Sequence, residues 1–145
     1  MDNVKTSFPI VGLGASAGGL RAVTTFLDAL QPDLGIAYVL VQHLAPDHVS
    51  ELDRLLQSHT AMPVHQLKEE EVLQPDTVYV IPPGRVLELK KSEQAVSVTV
   101  SDRVSKRERR FPIDRFFRSL AQVREDRAVC VIFSGTGTDG TSGLK

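Results

Sequence analysis

The sequence predicts a three-layer α/β domain: a doubly wound, mostly parallel sheet with helices on both faces and a β-hairpin inserted mid-chain. Two observations predict it. Three short runs, FPIVGL, IAYVLV and AVCVIF, are almost wholly apolar, as strands covered on both faces are. Segments with helical spacing follow the first two runs, and strands alternating with helices form parallel sheets.

Residues 8–13 (FPIVGL) form the first predicted strand, with Pro9 near its start, where a missing N–H does least harm. Residues 18–30 form a helix with Leu20, Val23, Leu27 and Leu30 on one face, ended by Gln31-Pro32-Asp33. Residues 36–41 (IAYVLV) are the second strand, and Val49, Leu52, Leu55 and Leu56 mark a second helix. The middle of the chain changes style. Residues 77–81 (TVYVI) form a strand stopped by Pro82-Pro83-Gly84. Residues 86–89 and 95–100 flank the polar turn 90–94, and Val96, Val98 and Val100 alternate with Ser97, Thr99 and Ser101. That period of two predicts a hairpin with one wet face. After the charged run 105–110 (SKRERR), residues 113–123 form a helix striped by Ile113, Phe116, Phe117, Leu120 and Val123. Residues 128–133 (AVCVIF) are the third buried strand, leading into the glycine-rich loop 134–140. The chain stops at Lys145, where another helix is expected to begin. The expectation is one catalytic domain over residues 1–145 that lacks its C-terminal part.

Composition excludes several functions. The net charge of -1 offers no basic footprint for nucleic acid. Cys130 is the single cysteine, so no internal disulfide can form, and its place in AVCVIF makes it an inert buried thiol. The first residues lack the apolar core of a signal peptide, and no apolar run reaches the length of a membrane span. The expected compartment is the cytoplasm.

The chemistry converges just past the ends of the three apolar runs, at Gly14-Ala15-Ser16-Ala17-Gly18, at Gln42-His43-Leu44 and at the loop carrying Asp139. In an open parallel sheet that edge is where ligands bind. A serine, a histidine and an aspartate placed there are a hydrolase triad in kind. Ser16 lies in a G-x-S-x-G pattern, whose small residues let a nucleophile project from a tight strand-to-helix turn. Ser16 is equally suited to capping the helix that follows. His43 is the candidate base, able to take the serine proton and return it to the leaving group. Asp139 would fix the imidazole tautomer, or cap the last helix, or both. His48, His59 and His65 read as surface or packing residues. His43, Asp47 and His48 match no metal-binding spacing. Gly12-x-Gly14-x-x-Ala17 fits a dinucleotide fingerprint, but the second strand ends in Gln42 and His43 rather than the acidic residue a ribose needs.

At these residues the chain resembles the chemotaxis protein-glutamate methylesterases, the CheB-type catalytic domain. GASAGG is similar to the family's nucleophile loop, VQHL to its Q-H segment, and SGTGTDG to its T-G-x-G-x-D-G segment. YVIPPG resembles its Y-x-x-P-G stretch, and FPIDRFFRSLA its substrate-side helix. The resemblance implies Ser16 as nucleophile, His43 as base and Asp139 as orienting acid. Ala17, Gly18, Thr136 and Gly137 would support the oxyanion, Thr136 standing where the family often has methionine. It implies hydrolysis of glutamate γ-methyl esters on chemoreceptor helices with release of methanol, deamidation of receptor glutamines in many members, and no cofactor or metal. Receptor helices are the implied partners, together with a methyltransferase module, because QHLAPDH and SGTGTDG look like hybrid proteins that carry one. Neither nucleic acid nor membrane insertion is implied. A general serine esterase and a non-catalytic module that keeps the fold are the competing expectations.

Overall fold

The computed structural model describes residues 8–16, 19–42, 51–92, 95–101 and 111–133. The first half follows the predicted rhythm: β1 (Ile10–Ala15), α1 (Leu20–Ala29), β2 (Ala37–Gln42) and α2 (Leu52–Gln57). Next come β3 (Val64–Gln66), β4 (Glu71–Val72), β5 (Thr77–Val80), β6 (Val86–Lys91), β7 (Val96–Ser101), α3 (Pro112–Arg124) and β8 (Ala128–Ile132). Among the described residues, no helix is long and apolar enough to cross a membrane.

Five strands form one sheet in the order β3-β5-β2-β1-β8, every pairing parallel. From β1 the chain crosses to β2 on one side, while β8 returns on the other. The order therefore reverses at β1, and the crevice at such a reversal, past the strands' carboxyl ends, is where ligands bind. The predicted hairpin is present as β6 and β7 in antiparallel register, joined by β4 into a second, three-stranded sheet. Two elements were not foreseen. Val64-His65-Gln66 and Glu71-Val72 are too short and too polar to carry a periodic signal, and form strands only because β5 and β7 offer free edges.

Layers of core lie on both faces of the large sheet. On one, Val11, Leu13, Tyr38, Leu40, Val78 and Val80 meet Val23 and Leu27 of α1 and Leu52 and Leu56 of α2. On the other, Ile10, Val39, Val41 and Tyr79 meet Ile113, Phe116, Phe117 and Leu120 of α3 and the inner residues of the small sheet, including Leu87, Leu89, Val96 and Val98. These side chains are nearly fully buried, and burying one such residue stabilises by about 1.5–3 kcal/mol.

Two expectations need correction. The AVCVIF run is not a strand buried on both faces. β8 pairs with β1 at one end of the sheet order, and Val129 and Ile132 remain 51% and 37% exposed. An apolar run shows that a strand is apolar, not that both its flanks are covered. Likewise Leu55, expected on the apolar face of α2, is 43% exposed, because α2 turns only Leu52 and Leu56 inward.

Candidate active site

Two glycines in β1 decide how its C-terminal end is held. Side chains alternate along a strand, and Val11, Leu13 and Ala15 point toward α1 and α2. Gly12 and Gly14 therefore face α3. A Cβ at Gly12 would lie 3.0–3.2 Å from Leu120, Phe117 and Phe116, and one at Gly14 would lie 2.6 Å from Cγ2 of Ile113. The strand presents bare backbone there so that the aromatic face of α3 can come down onto it. This use accounts for the glycines that also fit a dinucleotide fingerprint: they lie within the strand and admit a helix.

The contacts fix the direction of α3. Ile113 lies over Gly14 late in β1, Leu120 over Gly12, and the Arg124 guanidinium stands 5.4 Å from the Phe8 ring before the strand begins. The helix thus runs antiparallel to β1, with its first turn beside the carboxyl edge of the sheet. Arg115 of that turn pairs with Glu88 of β6 at 2.7 Å, tying the small sheet to it. The opposite edge is closed by Asp76, whose carboxylate accepts the Gly35 N–H at 2.7 Å.

Ser16 is the residue after β1, half-buried at this edge. Its carbonyl accepts the Gly19 N–H at 2.9 Å, which turns the strand into the helix. Gly19 immediately precedes α1, and the Ser16 carbonyl makes the bond that opens its turn, so the capping reading of Ser16 stands beside the catalytic one. The first turn of α1 carries no acidic residue of its own, and a helix start bears a partial positive charge. Beside β1, Ala15 pairs with Gln42, the last residue of β2, and on the other side Gly14 pairs with Ile132 of β8. Gln42 is a polar residue only 7% exposed. The ladder to β8 extends one step further, Phe133 donating its N–H to the Gly14 carbonyl at 2.8 Å.

His43, Asp139, Ala17, Gly18, Thr136 and Gly137 lie outside the described residues, as do Asp47, His48 and the run 105–110. The other candidate groups are accounted for. His59 pairs with Asp28 at 2.8 Å, joining the ends of α2 and α1, and His65 lies exposed beside the Tyr79 ring. Cys130 is half-buried rather than buried, packed against the α3 side of the core, and burial pushes its thiol pKa up, away from nucleophilic reactivity. Sequence reasoning missed Ile113 as a residue of this edge. Its apolar stripe placed it in the core, and only the pairing of α3 with β1 shows that it abuts the strand two residues before Ser16.

This is an open α/β domain whose switch-point edge receives a serine from β1. The family model described as CheB methylesterase matches residues 11–145, and the chain belongs to that family. It is 37% identical, over 94% of its length, to a protein-glutamate methylesterase/protein-glutamine glutaminase of Geobacillus kaustophilus, and 32% identical over 96% to one of Yersinia pestis. It spans 39% and 40% of those two relatives. The solved catalytic domain of the Thermotoga maritima CheB methylesterase superimposes with a TM-score of 0.86 at 27% identity, over 95% of this chain and 73% of that one.

Proposed function

We propose that this chain carries the catalytic machinery of a protein-glutamate methylesterase that acts in the cytoplasm on glutamate γ-methyl esters of chemoreceptor helices. Ser16 is the nucleophile, His43 the general base, and Asp139 the acid that orients the histidine. The observation that carries this reading is the common level at which the strands end. Ala15 and Gln42 are paired, and Ser16 and His43 are the next residues of their segments. Neighbouring strands lie about 4.8 Å apart, a spacing that supports reading the residues at those two exits as partners. β8 ends on the other flank of β1, and Asp139 belongs to the loop that follows it.

The chemistry follows from those roles. The Ser16 hydroxyl attacks the ester carbonyl carbon while its proton passes to His43, and the carbonyl electron pair moves onto oxygen. Backbone N–H groups of Ala17, Gly18, Thr136 and Gly137 are the proposed donors to that oxyanion, beside the start of α1, whose first turn carries no acidic residue. Collapse of the intermediate expels methoxide, which takes the proton from His43 and leaves as methanol. Water then attacks the acyl-enzyme by the same route, releasing glutamate and restoring Ser16. A glutamine side chain would yield ammonia instead, which is the glutaminase activity in the relatives' names.

The decisive measurement is methanol release from methylated receptor, run beside covalent labelling by a fluorophosphonate. Ser16→Ala should abolish both, and His43→Ala should cost as much, because triad members act as a unit. Asp139→Asn should slow turnover by roughly 10⁴-fold. Unchanged turnover in Ser16→Ala would overturn the assignment. Equal rates on receptor and on a free methyl ester would point instead to a general esterase.

A further inference from the structure

Gly14 is the meeting point of four segments. Its carbonyl holds Phe133 at the exit of β8, and its register partner on the other flank is Val41, next to the last residue of β2. Two residues beyond it, just past the end of β1, is Ser16. Where a side chain would stand, the first turn of α3 closes in: a Cβ there would lie 2.6 Å from Ile113 Cγ2, 3.3 Å from its Cδ1 and 3.3 Å from Cζ of Phe117. Ile113 is buried, 3% exposed. Its Cγ2 branches directly from Cβ, and a β-branched side chain in a helix has one preferred χ1. The methyl cannot swing aside as the end of a long side chain would. Any change in spacing at this contact must therefore move backbone, either α3 or the end of β1.

We infer that Ile113 is a positioning residue for Ser16, its γ2 methyl resting on the bare backbone of Gly14 and setting where the end of β1, and with it the nucleophile, stands relative to the exits of β2 and β8. The inference rests on the hydrolase reading given above. Its physical basis is that a displacement of about 1 Å in a reacting group costs on the order of 10²-fold in rate.

The test is a rescue series in the full chain, read as kcat and KM for methanol release from methylated receptor. Circular dichroism at the assay temperature establishes that each variant is folded. Gly14→Ala should lower kcat by about 10-fold or more, with KM within about two-fold of wild type, because substrate contacts are untouched. Leucine keeps the volume of isoleucine but has no γ2 methyl, so adding Ile113→Leu to Gly14→Ala should restore most of the lost kcat. Adding Ile113→Val, which keeps that methyl, should not. Should Gly14→Ala fail to fold, the Ile113→Leu double variant should fold and turn over while the Ile113→Val one does not.

A folded Gly14→Ala enzyme with wild-type kcat overturns the inference. So does a double variant with leucine that remains as slow, or as unfolded, as Gly14→Ala alone. These results leave the hydrolase reading intact as long as wild type releases methanol and is labelled at Ser16. A wild-type protein that does neither overturns that reading, and this inference falls with it.

Discussion

The two faces of β1 solve the same packing problem in opposite ways. Toward α1 and α2, β1 offers Val11, Leu13 and Ala15, and the helices answer with residues of middle size, Val23, Leu27, Leu52 and Leu56. Toward α3 it offers Ile10 and then Gly12 and Gly14, and the helix answers with two phenylalanines, Phe116 and Phe117, flanked by Ile113 and Leu120. One face shares its bulk between strand and helix. The other, past Ile10, puts the bulk on the helix and lets the backbones approach. A glycine strand facing an aromatic helix has no slack, because interiors are packed at crystal-like density. The face without slack also bears on the strand end that leads into Ser16.

Truncating the aromatic face should show the largest effect. Phe117 is fully buried, and Phe117→Ala should cost about 3–5 kcal/mol, read as a fall in denaturation midpoint. On the opposite face Leu27→Ala should cost about 2–4 kcal/mol, and the folded fraction should keep the wild-type rate of fluorophosphonate labelling. Equal loss of labelling from both variants would break the distinction between the faces. Gly12→Ala should cost about 1–3 kcal/mol by overpacking against Leu120 and the two phenylalanines. A stabilised Gly12→Ala would mean that α3 has more room than its contacts allow. At the small end, Leu55→Ala on the exposed flank of α2 should change stability by no more than about 0.5 kcal/mol, while its neighbour Leu56, fully buried, should behave like Leu27.

Much of this was legible in the chain. The runs that became β1, β2 and β5, the helical spacing of α1 and α3, and the alternation Val96, Val98, Val100 each report a local periodicity. They survive in the fold because each element buries the stripe its sequence displays. The strand exits were legible for the same reason: an apolar run that stops at small or polar residues marks where a buried strand surfaces, and Ser16 stands at one such place. The polar segments β3 and β4 were not legible, since three residues and two residues carry no period of their own and borrow their order from a partner.

What the sequence determined by itself is the longer elements, the alternation that makes the sheet parallel, and the place of Ser16 at the end of β1. These follow from the spacing of apolar side chains along a chain of fixed geometry. What only the tertiary structure decided is adjacency. That β8 takes the flank of β1 with Val129 and Ile132 exposed, and that Ile113 rests on Gly14, are relations between segments distant in sequence. The glycines of β1 show why. Read along the chain they fit a turn that cradles a phosphate. Read across it they are the space into which α3 packs, and a side chain that is absent takes its meaning from whatever occupies its place.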